Sequence, residues 1–194
     1  MVTRPQATGF LVATVGTDHH PFDRLVRWLD RWLAERYDVK AWIQHGPACA
    51  PRHGDGVVLL PRDELLDYMT RATVIVTQGG PGSIMDARSC GRLPVVVPRL
   101  PTLNEVVDDH QLAFCRKMAD LGWIRLAESE AEFREHLDHA LDDGAPRQLL
   151  HDRRSIEQTV LRVGDVLTDV SRKPARPLRI GRLAQLVRSA LTGG

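Results

Sequence analysis

Apolar positions along this chain follow two alternating rhythms. Continuous apolar runs at Gly9 to Val15, Val39 to Gln44, Val57 to Leu60, Thr73 to Thr77, Pro94 to Val97 and Trp123 to Leu126 read as short strands, the first of them buried on both faces. Between the first two, Phe22, Leu25, Val26, Leu29, Trp32 and Leu33 recur at helical spacing among Arg and Asp, which predicts an amphipathic helix over Phe22 to Arg36. Further helices are predicted over Pro61 to Arg71, with proline in the first turn, and over Ser83 to Cys90, closed by Gly91. Glu105 to Leu121, Glu130 to Leu141 and Arg147 to Val170 complete the set, and a Gly/Pro-rich loop runs from His45 to Gly56. Regular alternation of strand and helix predicts an α/β domain, doubly wound, with a mainly parallel sheet and helices on both faces.

Composition narrows the class. The 194 residues are 43% hydrophobic and 26% charged, ordinary for a globular chain and enough for one domain plus an appendage. Cys49, Cys90 and Cys115 are odd in number, widely spaced and free of any CxxC, which argues against a disulfide framework or a zinc site and fits a reducing, cytoplasmic setting. No run of about 18 apolar residues occurs, so no membrane-crossing helix is expected. A net charge of +1 points to no nucleic-acid partner, but the charge is uneven. Residues 171–194 hold six basic side chains (Arg172, Lys173, Arg176, Arg179, Arg182 and Arg188) and no acidic one, leaving 20 basic against 25 acidic, or −5, elsewhere. The expected organisation is a ligand-binding domain over 1–170 and a basic amphipathic tail over 171–194. That tail suits docking on protein, contact with anionic lipid, or a solvated helix.

Ligands of doubly wound sheets sit beyond the carboxyl ends of the strands, and three such ends carry unusual residues. The first, Thr14-Val15-Gly16-Thr17-Asp18-His19-His20, offers close backbone approach at Gly16 and a hydroxyl at Thr17, or simply a turn capped by Asp18. The second, Thr77-Gln78-Gly79-Gly80-Pro81-Gly82-Ser83-Ile84-Met85-Asp86, leads a strand into a helix. Its first-turn N–H groups and partial positive charge suit a phosphate, and Asp86, near one turn further, can accept hydrogen bonds from a ribose diol. Equally, the glycines serve tight packing and Asp86 complements the helix dipole. Neither a Walker A lysine nor a dinucleotide GxGxxG after the first strand is present. The third, Asn104 to Gln111, opens a helix with polar groups fit for sugar hydroxyls, or forms a solvated acidic helix start.

Together the last two motifs resemble the C-terminal domain of family 28 glycosyltransferases. That family includes the bacterial enzyme that adds GlcNAc to a lipid-linked peptidoglycan precursor, and the small catalytic subunit of a two-part dolichol-linked GlcNAc transferase. The family pattern resembles Ser-His-Ala-Gly-x-Gly-Ser-Ile-x-Glu, then Gly-Lys-Pro, then Asp/Asn-His-Gln. Here Thr77 to Asp86 matches with Gln78 for His and Asp86 for Glu, Gly91-Arg92-Leu93-Pro94 fills the second position one residue longer, and Asp109-His110-Gln111 matches fully. The opening Val-Gly-Thr with Phe22-Asp23-Arg24-Leu25 resembles the small-subunit group, and the resemblance covers Gly9 to Gly164.

That resemblance implies a Rossmann-like half of a GT-B fold, the donor half, in a chain with length for only one half. It implies a UDP-sugar donor of glucuronosyl or N-acetylglucosaminyl type and a lipid-linked saccharide acceptor, as in bacterial exopolysaccharide assembly. It also implies an acceptor-side partner subunit that brings the chain to the inner face of the membrane. Direct displacement with inversion is expected, with no cofactor or metal. Gly16, Thr17, Gln78, Gly79, Gly80, Gly82 and Ser83 would hold the nucleotide and its phosphates. Asp86 would orient the ribose, and Asp109, His110 and Gln111 the sugar. His19 and His20, on the first strand-end loop, are candidates for the base that takes the acceptor proton, since histidine titrates near neutral pH; the partner could equally supply that base. The alternative is a non-catalytic nucleotide-sugar-binding or scaffold subunit of such a complex. A two-half epimerase needs a longer chain, and a nicotinamide oxidoreductase needs a different first turn.

Overall fold

A computed structural model describes residues 9–107 and 110–142. The helix expected over Arg147 to Val170, the tail over 171–194 and Asp109 lie outside the described residues. Among the described residues six strands and five helices alternate, except that the second strand leads to the third through a loop. In order they are β1 (Gly9–Thr14), α1 (Asp23–Leu33), β2 (Val39–Gln44), β3 (Asp55–Val57), α2 (Arg62–Arg71) and β4 (Val74–Gln78). Then come α3 (Pro81–Ser89), β5 (Val95–Val97), a 3-10 turn at Pro101–Leu103, α4 (His110–Asp120), β6 (Arg125–Leu126) and α5 (Glu130–Asp142).

Every strand pair is parallel, in the order β3-β2-β1-β4-β5-β6. This is a doubly wound, Rossmann-like sheet, as the alternation predicts. Chain direction across the sheet reverses between β1 and β4, so a crevice opens there at the carboxyl ends. Direct pairing of Thr14 with both Gln44 and Thr77 sets three polar side chains in a row across β2, β1 and β4. They lie at or next to the carboxyl ends of strands whose central residues are apolar and buried.

One face of the sheet holds the larger core. Leu25, Leu29 and Trp32 of α1 and Phe133 and Leu137 of α5 pack with Leu11, Ala13, Val76 and Val97. Trp28 and Phe133 meet with ring centroids 5.7 Å apart, and Trp32 donates its indole N–H to Asp138 at 3.0 Å. On the other face, Met69 of α2 and Ala87 of α3 cover Val12, Trp42 and Ile75, and Trp42 stacks on Tyr68 at 4.4 Å.

Two elements depart from their sequence expectations, each for a traceable reason. The third strand is Asp55–Val57 rather than Val57 to Leu60. Its register with Trp42–Gln44 is set by the preceding loop, where Asp30 accepts the N–H groups of Arg52 and His53. Val58 and Leu59 are then left exposed. The fourth helix starts at His110 rather than Glu105. Asn104 closes the 3-10 turn in the left-handed region (φ 54°), and Glu105 is drawn inward to Arg24 before any helix can begin.

Candidate functional site

Between the β1 and β4 ends lies a cleft of about 340 Å³ lined by Thr14, Gly16, Thr17, Gln44, Leu59, Leu60, Arg62, Leu65, Gln78, Gly82, Ser83 and Asp86. Two members of the polar row, Thr14 and Gln44, line it. The Thr14 hydroxyl accepts hydrogen bonds from the Gly16 N–H (3.2 Å) and the Gln44 amide (3.1 Å). Gln44 in turn accepts the Leu60 N–H at 3.0 Å, so the segment leading into α2 is fixed to the sheet. Gly16 has φ 81°, and a Cβ there would lie 2.4 Å from Gln78. The two strand-end loops therefore touch only because this position lacks a side chain.

Gln78 organises the second loop. Its carbonyl accepts the Gly80 N–H, and its amide donates to the Ser83 hydroxyl at 3.0 Å. The side chain thus satisfies the N-cap amide of α3. Pro81 has no N–H, so the first-turn donors left to face the cleft are those of Gly82 and Ser83. An added methyl at Gly82 would meet nothing within 4 Å. Gly79 is the opposite case: a Cβ there would lie 2.5 Å from Cys115 Sγ and 2.7 Å from Gln111 Cγ, because α4 packs directly on the loop.

Asp86 lines the cleft from α3 and is one-fifth exposed. Its Oδ1 accepts a hydrogen bond from Arg62 at 2.5 Å, an ion pair that spans the two helices flanking the cleft. The Asp86 carboxylate pushes the Arg62 guanidinium pKa up from its ordinary value. Arg62 was not legible as a site residue. One feature marks it: it is the first residue of α2, where a basic side chain opposes the helix dipole.

A buried arginine fixes the rim. Arg99, 1% exposed, donates to the carbonyls of Val15 (2.8 Å), His20 (2.7 Å) and Glu105 (2.9 Å), and lies over the Phe22 ring at 4.7 Å. Burial pulls its pKa down, and Asp18 and Glu105 oppose that shift. Arg24 holds Glu105 with two hydrogen bonds, at 2.9 and 2.8 Å, and donates to the Pro98 carbonyl at 2.7 Å. Gln111 accepts the Arg99 N–H at 2.7 Å, so its carbonyl anchors the loop after β5. It reaches the site beside Gly79 but does not line the 340 Å³ cleft, and His110 stands at the same helix start.

His19 and His20 are not among the residues that line the cleft and follow the cleft-lining Thr17 by two and three residues. Asp18 accepts hydrogen bonds from the His20 backbone N–H (2.8 Å) and its ring Nδ1 (2.6 Å), while the ring of His19, 84% exposed, lies tilted against that of His20 with centroids 3.9 Å apart. Burial alone would raise the Asp18 pKa. Its hydrogen bonds from His20 and the nearby Arg99 charge outweigh that and hold it below the usual value. Among the described residues these three side chains are the only group with ligand atoms close enough for a metal, within 4.8 Å of one another.

The sequence profile of the glycosyltransferase family 28 C-terminal domain matches residues 10–161. The chain belongs to this family. A comparison with curated protein sequences gives no match. Among solved structures, the family 28 domain is similar to the glycotransferase of kitacinnamycin (TM-score 0.56, 18% identity), covering 97% of this chain and 44% of that one. It is also similar to the glycosyltransferase SnogD from Streptomyces nogalater (0.51, 18%; 94% and 44%). Against the solution structure of ALG13 the values are 0.50 and 16%, covering 79% of this chain and 95% of that one. These identities establish the fold: a Rossmann-like half of the GT-B type. The chain spans less than half the length of the first two structures and most of the third.

Proposed function

We propose that this domain is the donor half of an inverting glycosyltransferase that takes a UDP-sugar of glucuronosyl or N-acetylglucosaminyl type. The acceptor is a lipid-linked saccharide in polysaccharide assembly. An acceptor-side, membrane-associated partner subunit supplies the other half and holds the chain at the inner face of the membrane. Among the described residues no helix is long and apolar enough to cross a membrane.

The observation that carries the reading is the cleft at the β1–β4 crossover of a family 28 domain. First-turn amides of α3 and the Asp86 carboxylate line one small space there. A nucleoside diphosphate needs both. Its ribose diol donates to a carboxylate, and its phosphates accept from N–H groups at a helix start. The apolar walls Leu59, Leu60 and Leu65 suit a base.

In the reaction, the acceptor oxygen bonds to the anomeric carbon from the face opposite UDP. The bond from that carbon to the phosphate oxygen breaks, and UDP leaves with the electron pair. The Gly82 and Ser83 amides stabilise part of the charge gathering on it, and in this reading the step proceeds without a metal. The acceptor proton goes to a base. On this chain His20 is the better placed of the two histidines, because Asp18 fixes its Nδ1 side and leaves Nε2 for the proton. Asp109, His110 and Gln111 hold the donor sugar in this reading.

Calorimetric titration of the purified chain tests it. UDP is expected to bind, with ADP silent and Asp86→Ala weakening UDP at least about tenfold. Equal binding of UDP and ADP, or silence toward UDP by the folded chain and by its complex with the partner, contradicts it.

A further inference from the structure

We propose that Arg62 is the phosphate-binding cation of the donor cleft, parked on Asp86 while the cleft is empty and exchanged onto the nucleotide's phosphates when it fills. The inference rests on the nucleoside-diphosphate reading of the cleft. Among the described residues that line it, Arg62 is the sole cation and Asp86 the sole anion. Left as it is, the ion pair makes the cleft neutral and occupies one oxygen of the group that must receive the ribose. An incoming nucleoside diphosphate brings two or more negative charges and a diol to this one space of about 340 Å³. Two amides at the α3 start are modest compensation for that charge. The Gly80 N–H, a third donor, is already taken by Gln78.

The pair is built to be exchanged. Arg62 is 65% exposed and Asp86 19%, and an ion pair with so exposed a partner contributes little net stability, so its rupture is cheap. Arg62 stands on the first turn of α2 and Asp86 on α3, so the arginine has room to swing without moving either helix. Its placement against the dipole of α2 is unexplained by helix stability. It is explained by a ligand that needs a guanidinium at this rim, where planar donors match phosphate oxygens. When the ribose hydroxyls hydrogen-bond to Asp86, the guanidinium is released toward the adjoining phosphates. One event thus completes both contacts, and nucleoside without phosphate gains only one of them.

The test compares UDP with uridine by ligand-observed NMR titration on the full chain, on Arg62→Gln and on Arg62→Lys, each checked for folding by circular dichroism. Arg62→Gln is expected to weaken UDP about tenfold and to leave uridine unchanged or slightly tighter, because Asp86 is freed. Arg62→Lys is expected to keep part of the UDP affinity. The salt dependence of UDP binding should flatten in Arg62→Gln. Unchanged UDP affinity in Arg62→Gln overturns the proposal. So does an equal fall for UDP and uridine, which would make Arg62 a support for Asp86 and nothing more. Failure of both the unaltered, folded chain and its complex with the partner to bind UDP removes the donor-site reading itself, and this proposal with it. UDP binding by the unaltered chain keeps the two failures apart.

Discussion

The two faces of the sheet are built for different ends. Beneath α1 and α5 the contacts are large and apolar: Trp28, Trp32, Phe133, Leu25 and Leu137 fill the space, and loops are pinned by the α1 carboxylates of Asp23 and Asp30. Over α2 and α3 the helices are shorter and present fewer buried residues, and the strand ends beneath them carry Gln44, Thr14 and Thr77. The Thr77 hydroxyl has no hydrogen-bond partner although it is fully buried. A buried polar row costs stability wherever a hydroxyl goes unpaired. The first face carries the large apolar contacts; the second gives up packing at the strand ends, where the cleft opens.

Substitutions should therefore separate stability from binding according to face. Trp32→Ala empties a fully buried site and drops the Asp138 hydrogen bond, so a loss of about 3–5 kcal/mol is expected in denaturant unfolding. UDP affinity of the molecules that remain folded should be unchanged. Gly79→Ala presses a methyl into Cys115 and Gln111, with an expected loss of about 1–3 kcal/mol and displacement of the α4 start. Asp86→Ala removes only a partly exposed ion pair, so unfolding should shift by less than about 1 kcal/mol while UDP affinity falls. Gly82→Ala is the sharpest probe, since its methyl meets no protein atom. Stability should hold, and any weakening of UDP reads directly on ligand proximity. Glu130→Gln is expected to have the smallest effect. The Arg31 hydrogen bond holds the Glu130 pKa below its ordinary 4.5. Its contribution is therefore present above pH 4.5 and lost as pH falls below that. The variant should be slightly less stable than the unaltered chain at pH 7 and converge with it in acid, which flattens the acid limb of the stability profile.

Much of this division was legible in the sequence. The apolar runs and the α1 stripe dictate the parallel sheet and its larger core, because burial on both faces demands them. The glycine loop from Gln78 to Ser83 and the carboxylate at Asp86 stand out in the sequence as a strand-to-helix turn of small residues, and the structure places Gln78, Gly82, Ser83 and Asp86 on one cleft. What escaped depends on contacts between residues distant in the chain. Arg62 reaches Asp86 from 24 positions away, and Arg99 meets Val15 across 84. No local pattern encodes either meeting. Glu105 was read as a helix residue for the same reason: its partner Arg24 is 81 positions away, and that pairing overrides its local helix preference. The role of Gln78 was legible only in part. Replacement of the family's histidine by an amide indicated hydrogen bonding, but that it would cap Gly80 and take the Ser83 hydroxyl is a property of the folded loop.

Amide chemical-shift mapping of the 15N-labelled chain on addition of UDP tests the central claim most directly. Perturbations confined to Gly16 and Thr17, Leu59 to Arg62, and Gln78 to Asp86 are the result expected, with the amides of α1 and α5 unmoved. Shifts concentrated on α1 and α5, or no shift in the β1–β4 cleft at saturating UDP, would contradict a donor site at the crossover of this sheet.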